Sequence, residues 1–550
     1  MKGPINLAQE IEPESISEYS EGAEVKLDRT VIFALIVLLV IGLCFRVAKL
    51  DSIGFAEDEV NKVDAIRAYE KGDITANAEH PMLMKALIFV SVKVGRAIGH
   101  DNDEVLFRLP NAIFGALTIL PLFLLTAAFF DRWTGLLAAA FWTVGVNSIT
   151  INRVAKEDTL LVFFMLFACY FYLRAKQTDT RNGKTRSRYY LLSGISFGLM
   201  MASKYFPHYL GLNSLYHHYV RVRKRTPGEP SGKTSLIFYV ALLAAFLIAN
   251  PSILMPPVWE YLNSYLGEKL LVHTGYLFAD QLYRNNVSRT PFWGTPIYFY
   301  LLFMAIKIPL TVLAAFLIGF IASLKNRRHP GHAFVLFMFL FWIVPYSLMG
   351  AKWLRYTLSL MPFIYILAAI GVMAILKFGA GRLNFTSRSR AILTAIAVVL
   401  FVGLPSWSAY SAAPHYALYN NAMGAKQVGY FFPHDEFYDD GLREAIKFVC
   451  DTAPPGAIIA HETPAVTRYY LERFGRTDLK SKAMSSPDVD PGQIAGPAYF
   501  IVQRGRTYFE NRDKLVVIRT EFRKVHEITV RGIPAAEVFV NQAGGYDIAD

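Results

Sequence analysis

Residues 31–45 read VIFALIVLLVIGLCF, and FAEDE follows at 55–59. After VNKVDAIRAYEKGDITANA (60–78) comes EHPMLMK, Glu79–Lys85. A bilayer core about 30 Å thick takes roughly 20 apolar residues in a helix. Residues 31–49 therefore read as a first span, which we expect to be retained because thirty mostly polar residues precede it. Two adjacent carboxylates, Asp58 and Glu59, stand just beyond the exit of that span, where ionisable groups are costly unless they have a task.

The rest of the chain has the same character. It has 550 residues, 53% hydrophobic and 18% charged, which is too apolar for an ordinary soluble protein and fits a polytopic membrane protein. The net charge of +12 does not point to nucleic acid. Its excess lies in short loops such as RVRKR (221–225) and KNRR (325–328) between apolar runs, the pattern that marks cytoplasmic loops. Cys44 and Cys169 lie in apolar runs and Cys450 stands alone in a polar region, so all three read as unpaired.

Hydropathy places about eleven spans, near 31–49, 108–130, 133–150, 159–175, 189–204, 206–220, 234–250, 297–321, 333–349, 357–376 and 391–411. The basic loops 174–188, 221–233, 325–328 and 377–390 fall on one side of that count. The expected organisation is a cytoplasmic tail (1–30), a transmembrane domain (31–411) with a first outer loop at 51–107, and an extracytoplasmic domain (412–550). The last of these alternates a helical pattern, DDGLREAIKFVC, with strand-like runs such as GAIIAHE and AYFIVQ, and reads as a small α/β domain. Its acidic run HDEFYDD (434–440) reads as a solvated loop and helix start without cations suited to a phosphate, so the domain is not expected to carry chemistry. The location expected is the plasma (inner) membrane, with the N-terminus cytoplasmic.

Sorting polar residues by side collects Asp58, Glu59, His80, Lys85, Arg153, Lys156, Glu157, Asp158, Lys204, His273, Lys352 and Arg355 at the outer face. Any one Lys or Arg there reads as an interfacial anchor. Carboxylates make poor anchors at an anionic interface, so the set points to chemistry. Lysines and arginines would hold a lipid-linked phosphate. A carboxylate would take the proton from an attacking hydroxyl. A phosphate leaves readily once its charge is stabilised, so one base and several cations suffice.

These residues carry a resemblance. The DE at 58–59, HPMLMK at 80–85, RLP at 108–110, RVAKED at 153–158, ASK at 202–204 and KWLRYTL at 352–358 resemble the protein O-mannosyltransferase family. That family is among the membrane glycosyltransferases of GT-C fold, which also include the lipid A aminoarabinose transferases. The resemblance covers roughly the first 410 residues. It implies a helical GT-C membrane fold, a polyprenyl-phosphate sugar donor (a hexose such as mannose), and transfer with inversion to a protein, lipid or glycan acceptor. It also implies roles: Asp58 as base with Glu59 as its partner, Asp158 as a second acidic position, and Lys204 and Arg355 for the donor phosphate. His80, Lys85, Arg153, Lys352 and Tyr356 complete the expected substrate-binding set. The sequence departs from the family pattern at Met82 and Met84, which stand for Pro and Gly, and at Ala78, which stands for Asp. The outer loop 251–296 is too short for the large insert of eukaryotic members.

No cofactor is expected: Asp58, Glu59, His80 and Asp158 offer metal-ligand chemistry, but their spacing matches no compact metal motif. The alternatives are a transferase of the aminoarabinose type, acting on lipid or polysaccharide, and a secondary transporter. A transporter would carry its polar residues near the midplane in paired halves, and no halves are visible.

Overall fold

The computed structural model describes residues 27–178, 182–205, 234–266, 274–285, 292–382 and 387–541. The first span is helix α1 (Arg29–Val47), with Asp28 accepting from the Val31 amide as its N-cap. The following loop builds α2 (Glu57–Glu70) and the amphipathic α3 (Met82–Ala97), whose exposed face carries Val90 and Val94. Then come α4 and α5 (Asp103–Leu117 and Ile119–Phe129), α6 and α7 (Arg132–Val144 and Val146–Asn152), α8 (Asp158–Gln177) and α9 (Gly183–Ser203).

Among the described residues, six helices are long and apolar enough to cross a membrane, or seven if α6 and α7, bent by 59°, form one span. Ten of the eleven runs predicted from hydropathy coincide with helices, and the eleventh, 206–220, lies outside the described residues. Two of the ten are broken. One bends between α6 and α7. The other, predicted at 297–321, divides into Phe299–Lys307 and Leu310–Lys325 at Pro309, which has no N–H to donate. Within the bundle, Leu310–Lys325 packs tightly on Met361–Arg382 through Gly319 and Gly371. A Cβ on Gly319 would lie 1.7 Å from the Leu367 carbonyl oxygen, and one on Gly371 would lie 1.9 Å from that of Ala315. Backbones approach this closely only through such small residues.

The C-terminal region forms a five-stranded sheet in the order β4-β3-β5-β7-β6. Here β3 is Ile458–His461, β4 Lys480–Ala483, β5 Ala498–Gln503, β6 Arg523–Val530 and β7 Ile533–Val540. A separate small hairpin in the outer loop pairs β1 (Tyr276–Phe278) with β2 (Gln281–Tyr283). In the main sheet β3 is parallel to both β4 and β5, and β5, β7 and β6 are antiparallel. The expected α/β region is thus present. The chain leaves β3, pairs β4 on one side and then returns to pair β5 on the other, so the carboxyl ends of β3 and β5 mark a switch point. In this protein the 505–508 loop beyond β5 is closed over by the helical domain's own acidic loop, through Arg506.

The two regions share a core: Phe55, Val60, Phe107 and Leu160 pack with Leu442, Val449, Tyr470 and Ile501. Polar contacts reinforce it. The Tyr470 hydroxyl accepts from the Phe55 amide at 2.7 Å, and Arg473 pairs with Glu104 at 2.5 Å. The loop 51–107 and the C-terminal domain therefore lie at the same end of the bundle. Cysteines introduced near positions 75 and 480 are expected to label from the same side of the membrane. Labelling of only one of them would refute the shared side.

Candidate active site

Asp58 sits in the first turn of α2, beside Glu57 and Glu59. Negative charge is favourable at a helix N-terminus, so all three carboxylates help start α2. Their surroundings differ. Asp58 Oδ2 accepts from Lys156 Nζ at 2.6 Å, from Arg355 Nη1 at 3.0 Å and from the Tyr438 hydroxyl. Among the described residues no donor reaches Oδ1, and the side chain keeps 22% of its exposure. Burial by itself would raise the Asp58 pKa, but the charges of Lys156, Arg355 and Lys62 outweigh it and hold the carboxyl well below the usual range.

Glu59 points the other way and is fully buried. Its Oε1 and Oε2 take a bidentate fork from Arg108 at 2.8 and 2.6 Å, and also the amides of Ala155 and Ala56. The remaining Arg108 donors bind the carbonyls of Leu50, Ile53 and Gly54. All five guanidinium N–H groups are used, which fixes the chain between α1 and α2.

The hexapeptide RVAKED, linking α7 to α8, joins these parts. Arg153 binds the carbonyls of Phe45, Arg46, Ala48 and Lys49, closing the C-terminus of α1. The Ala155 amide reaches Glu59, and Lys156 reaches Asp58. Glu157 pairs with Lys62 at 2.9 Å and faces the His80 ring at 3.7 Å. Asp158 pairs with Lys204 at 2.7 Å. The ammonium of Lys204 also lies 4.8 Å over the Tyr356 ring, and Arg355 lies over the same ring at 5.6 Å.

The structure thus brings Asp58, Asp158, Lys204, Arg355 and Tyr356 of the predicted set together. The others sit at its margins: Glu59 is locked to Arg108, the His80 ring faces Glu157, and Lys85, Arg153 and Lys352 turn their donors to backbone carbonyls. His273 lies outside the described residues. Lys85 Nζ binds the carbonyls of Ala76, Asn77 and His80, gathering the loop before α3, and burial pushes its pKa down to about 7. Lys352 is buried against the Thr295 and Met349 carbonyls, which pushes it down to about 8. Burial also pushes the His80 imidazole down to about 4, so it is neutral at pH 7 beside Glu157.

One expectation is corrected. The run HDEFYDD is not solvated: His434, Glu436, Asp439 and Asp440 are buried. Cations do meet it, from distant parts of the chain: Lys307 pairs with Glu436 at 2.5 Å and Arg506 with Asp439 at 2.5 Å, while the His415 ring lies 2.5 Å from Asp440. Asp435 accepts from the Leu354 amide and the Tyr276 hydroxyl, and burial pushes its pKa up to about 6. Beneath Arg355 and Tyr438 lies a cavity of about 120 Å³, also lined by Asn147, Lys156, Thr357 and Asp435. Sequence reasoning missed Tyr438, Arg506 and Lys62 as part of this neighbourhood. Tyr438 lay inside the acidic run HDEFYDD, read as solvated, and Lys62 inside the segment that follows FAEDE, but no local motif gives either a role, and Arg506 lay in no stretch singled out.

A helical chain with bent and broken spans and its polar cluster at one end, capped by a C-terminal α/β domain, matches a solved fold. ArnT from Cupriavidus metallidurans bound to undecaprenyl phosphate is similar over 94% of this chain and 99% of its own, with 15% identity and a TM-score of 0.50. Its apo form gives 16% identity and 0.51 over the same shares. The fold is GT-C. Residues 79–254 match the family model of dolichyl-phosphate-mannose-protein mannosyltransferase, so the resemblance read from the motifs is met by the family model over that segment. The Saccharomyces cerevisiae protein O-mannosyltransferase Pmt1-Pmt2 complex bound to the sugar donor is 23% identical over 45% of this chain and 35% of its own, with a TM-score of 0.31, too low to bear on the fold. No curated protein matches the chain.

Proposed function

We propose that this GT-C protein is a glycosyltransferase that moves a sugar, a hexose such as mannose, from a polyprenyl-phosphate donor to an acceptor hydroxyl, with inversion. The observation that carries the reading is the Asp58 site: a partly exposed carboxylate with one oxygen held by Lys156 and Arg355 and the other open. The family match over 79–254 and the undecaprenyl phosphate bound to ArnT support the donor class.

In the reaction, Asp58 takes the acceptor proton as the acceptor oxygen attacks the anomeric carbon. The carbon–oxygen bond to phosphate breaks on the opposite face, and the phosphate departs with the electron pair. Arg355, Lys156 and Lys204 are the cations placed to receive that charge. In the free protein two of them suppress the basicity of Asp58. A bound phosphate competes for both, so Asp58 gains basicity when the donor is in place. Glu59, Arg153, Lys85 and Lys352 are positioning residues in this reading, holding the backbone that carries the cluster. Asp158 orients Lys204.

Arg355→Ala is expected to weaken binding of polyprenyl phosphate by roughly 10- to 150-fold, the loss of one charge-assisted contact of about 1.5–3 kcal/mol. Isothermal titration in detergent reads this directly, and unchanged affinity would remove Arg355 from the phosphate site.

A second acceptor class has its own support. The ArnT likeness extends over 94% of the chain, C-terminal domain included, whereas the mannosyltransferase match ends at residue 254. This favours weighing a lipid or glycan acceptor equally with a protein. Mass spectrometry of membrane proteins, lipids and glycans from cells with and without the intact gene separates the classes. The transporter reading loses ground because the cluster is closed over by the C-terminal domain at one end of the bundle and does not line a path through it.

A further inference from the structure

We propose that Tyr438 is a positioning residue for Asp58, so that the C-terminal domain completes the reactive site of the membrane domain and does not merely sit beside it. The inference rests on the glycosyltransferase reading above for the meaning of Asp58, but its geometry stands independently.

Three observations converge. The Tyr438 hydroxyl donates to Asp58 Oδ2, the oxygen already held by Lys156 and Arg355. This third donor fixes the carboxylate's rotation and leaves Oδ1 facing outward. Next, Tyr438 and Asp439 both have left-handed backbone, with φ of 36° and 68°. Non-glycine residues rarely adopt that conformation, and two in succession persist only where their surroundings hold them.

The third observation is what holds them. Arg506, beyond the end of β5, grips Asp439 through Nε at 2.9 Å and Nη2 at 2.5 Å, and reaches Glu57 on α2 at 2.9 Å. Asp439 Oδ2 in turn accepts from the Glu57 amide at 3.0 Å. The same clamp therefore fixes the start of α2, one residue from Asp58, and the turn that bears Tyr438. The neighbouring Gly505 has φ of 84°, and a Cβ there would meet the His434 amide nitrogen at 2.3 Å. Only glycine lets the end of β5 press so closely on this segment.

A phenol donating to the ionised carboxylate favours the charged form. Its removal makes Asp58 easier to protonate, so the Asp58 titration moves to higher pH. The test is infrared difference titration of the full-length protein with polyprenyl phosphate bound, the carboxyl band being assigned by its loss in Asp58→Asn. Tyr438→Phe is expected to raise the midpoint by about one unit, the size of one hydrogen bond to a charged group. Replacing Tyr438 with difluorotyrosine, which keeps the shape and strengthens the donor, is expected to lower it. This second variant decides the matter should Tyr438→Phe fold poorly. A midpoint unmoved by either change overturns the proposal. An Asp58 band that fails to respond to polyprenyl phosphate in the unaltered protein counts against the phosphate reading instead, and leaves the Tyr438 comparison intact.

Discussion

Asp58→Asn is expected to lower sugar transfer by about 10²- to 10⁴-fold, the range associated with loss of a general base. The fold should survive, because Asp58 lies inside the first turn of α2, where the lost charge costs only about 0.3–1 kcal/mol, and Asn keeps an oxygen for the Tyr438 hydroxyl. Binding of polyprenyl phosphate should hold or tighten. In the unaltered protein Asp58 is the counter-charge for Lys156 and Arg355, and a phosphate has to displace it. Without that carboxylate the phosphate supplies the missing charge. The combination of lost transfer and retained affinity is what separates a base from a helix cap or a structural ion pair. Near-normal transfer by purified, folded Asp58→Asn would end its candidacy and pass the role to Asp158.

Arg108→Met is expected to act on stability. The substitution keeps the volume roughly but removes both teeth of the fork from Glu59, which is wholly buried. A buried charge left without its partner costs about 3–5 kcal/mol. Three carbonyls, of Leu50, Ile53 and Gly54, lose their donor in the same step. Thermal unfolding in detergent should show a large drop, and the double change Arg108→Met with Glu59→Gln should recover part of it because the stranded charge is gone. A melting temperature within a degree of the unaltered protein would show that the pair carries little of the fold.

The pair at 58–59 shows where sequence reading stops. Adjacent in sequence, Asp58 and Glu59 looked like partners in one role. On a helix, neighbouring side chains point about 100° apart, so one reaches the cluster of Lys156, Arg355 and Tyr438 while the other turns into the protein toward Arg108. The lysines and arginines near span ends were equally legible as a set and equally undivided. Lys204 and Arg355 join the cluster, whereas Lys85, Arg153 and Lys352 spend their donors on backbone carbonyls.

By itself the sequence determined that this is a polytopic helical membrane protein with an α/β region at its C-terminus, and that Asp58, Asp158, Lys204 and Arg355 belong to one neighbourhood. Hydrophobic length and strand alternation are local properties, and the motif residues lie in short stretches, so both survive in one dimension. Only the tertiary structure decided which carboxylate is open, that the break at Pro309 carries Lys307 to Glu436, and that HDEFYDD is buried against the loop that carries Asp58. Those outcomes depend on charges meeting across the chain, Asp58 with Arg355 at 297 positions' separation and Tyr438 at 380. A buried acidic run and a solvated one look alike in sequence, because what sets their burial is the cation that folding brings to them.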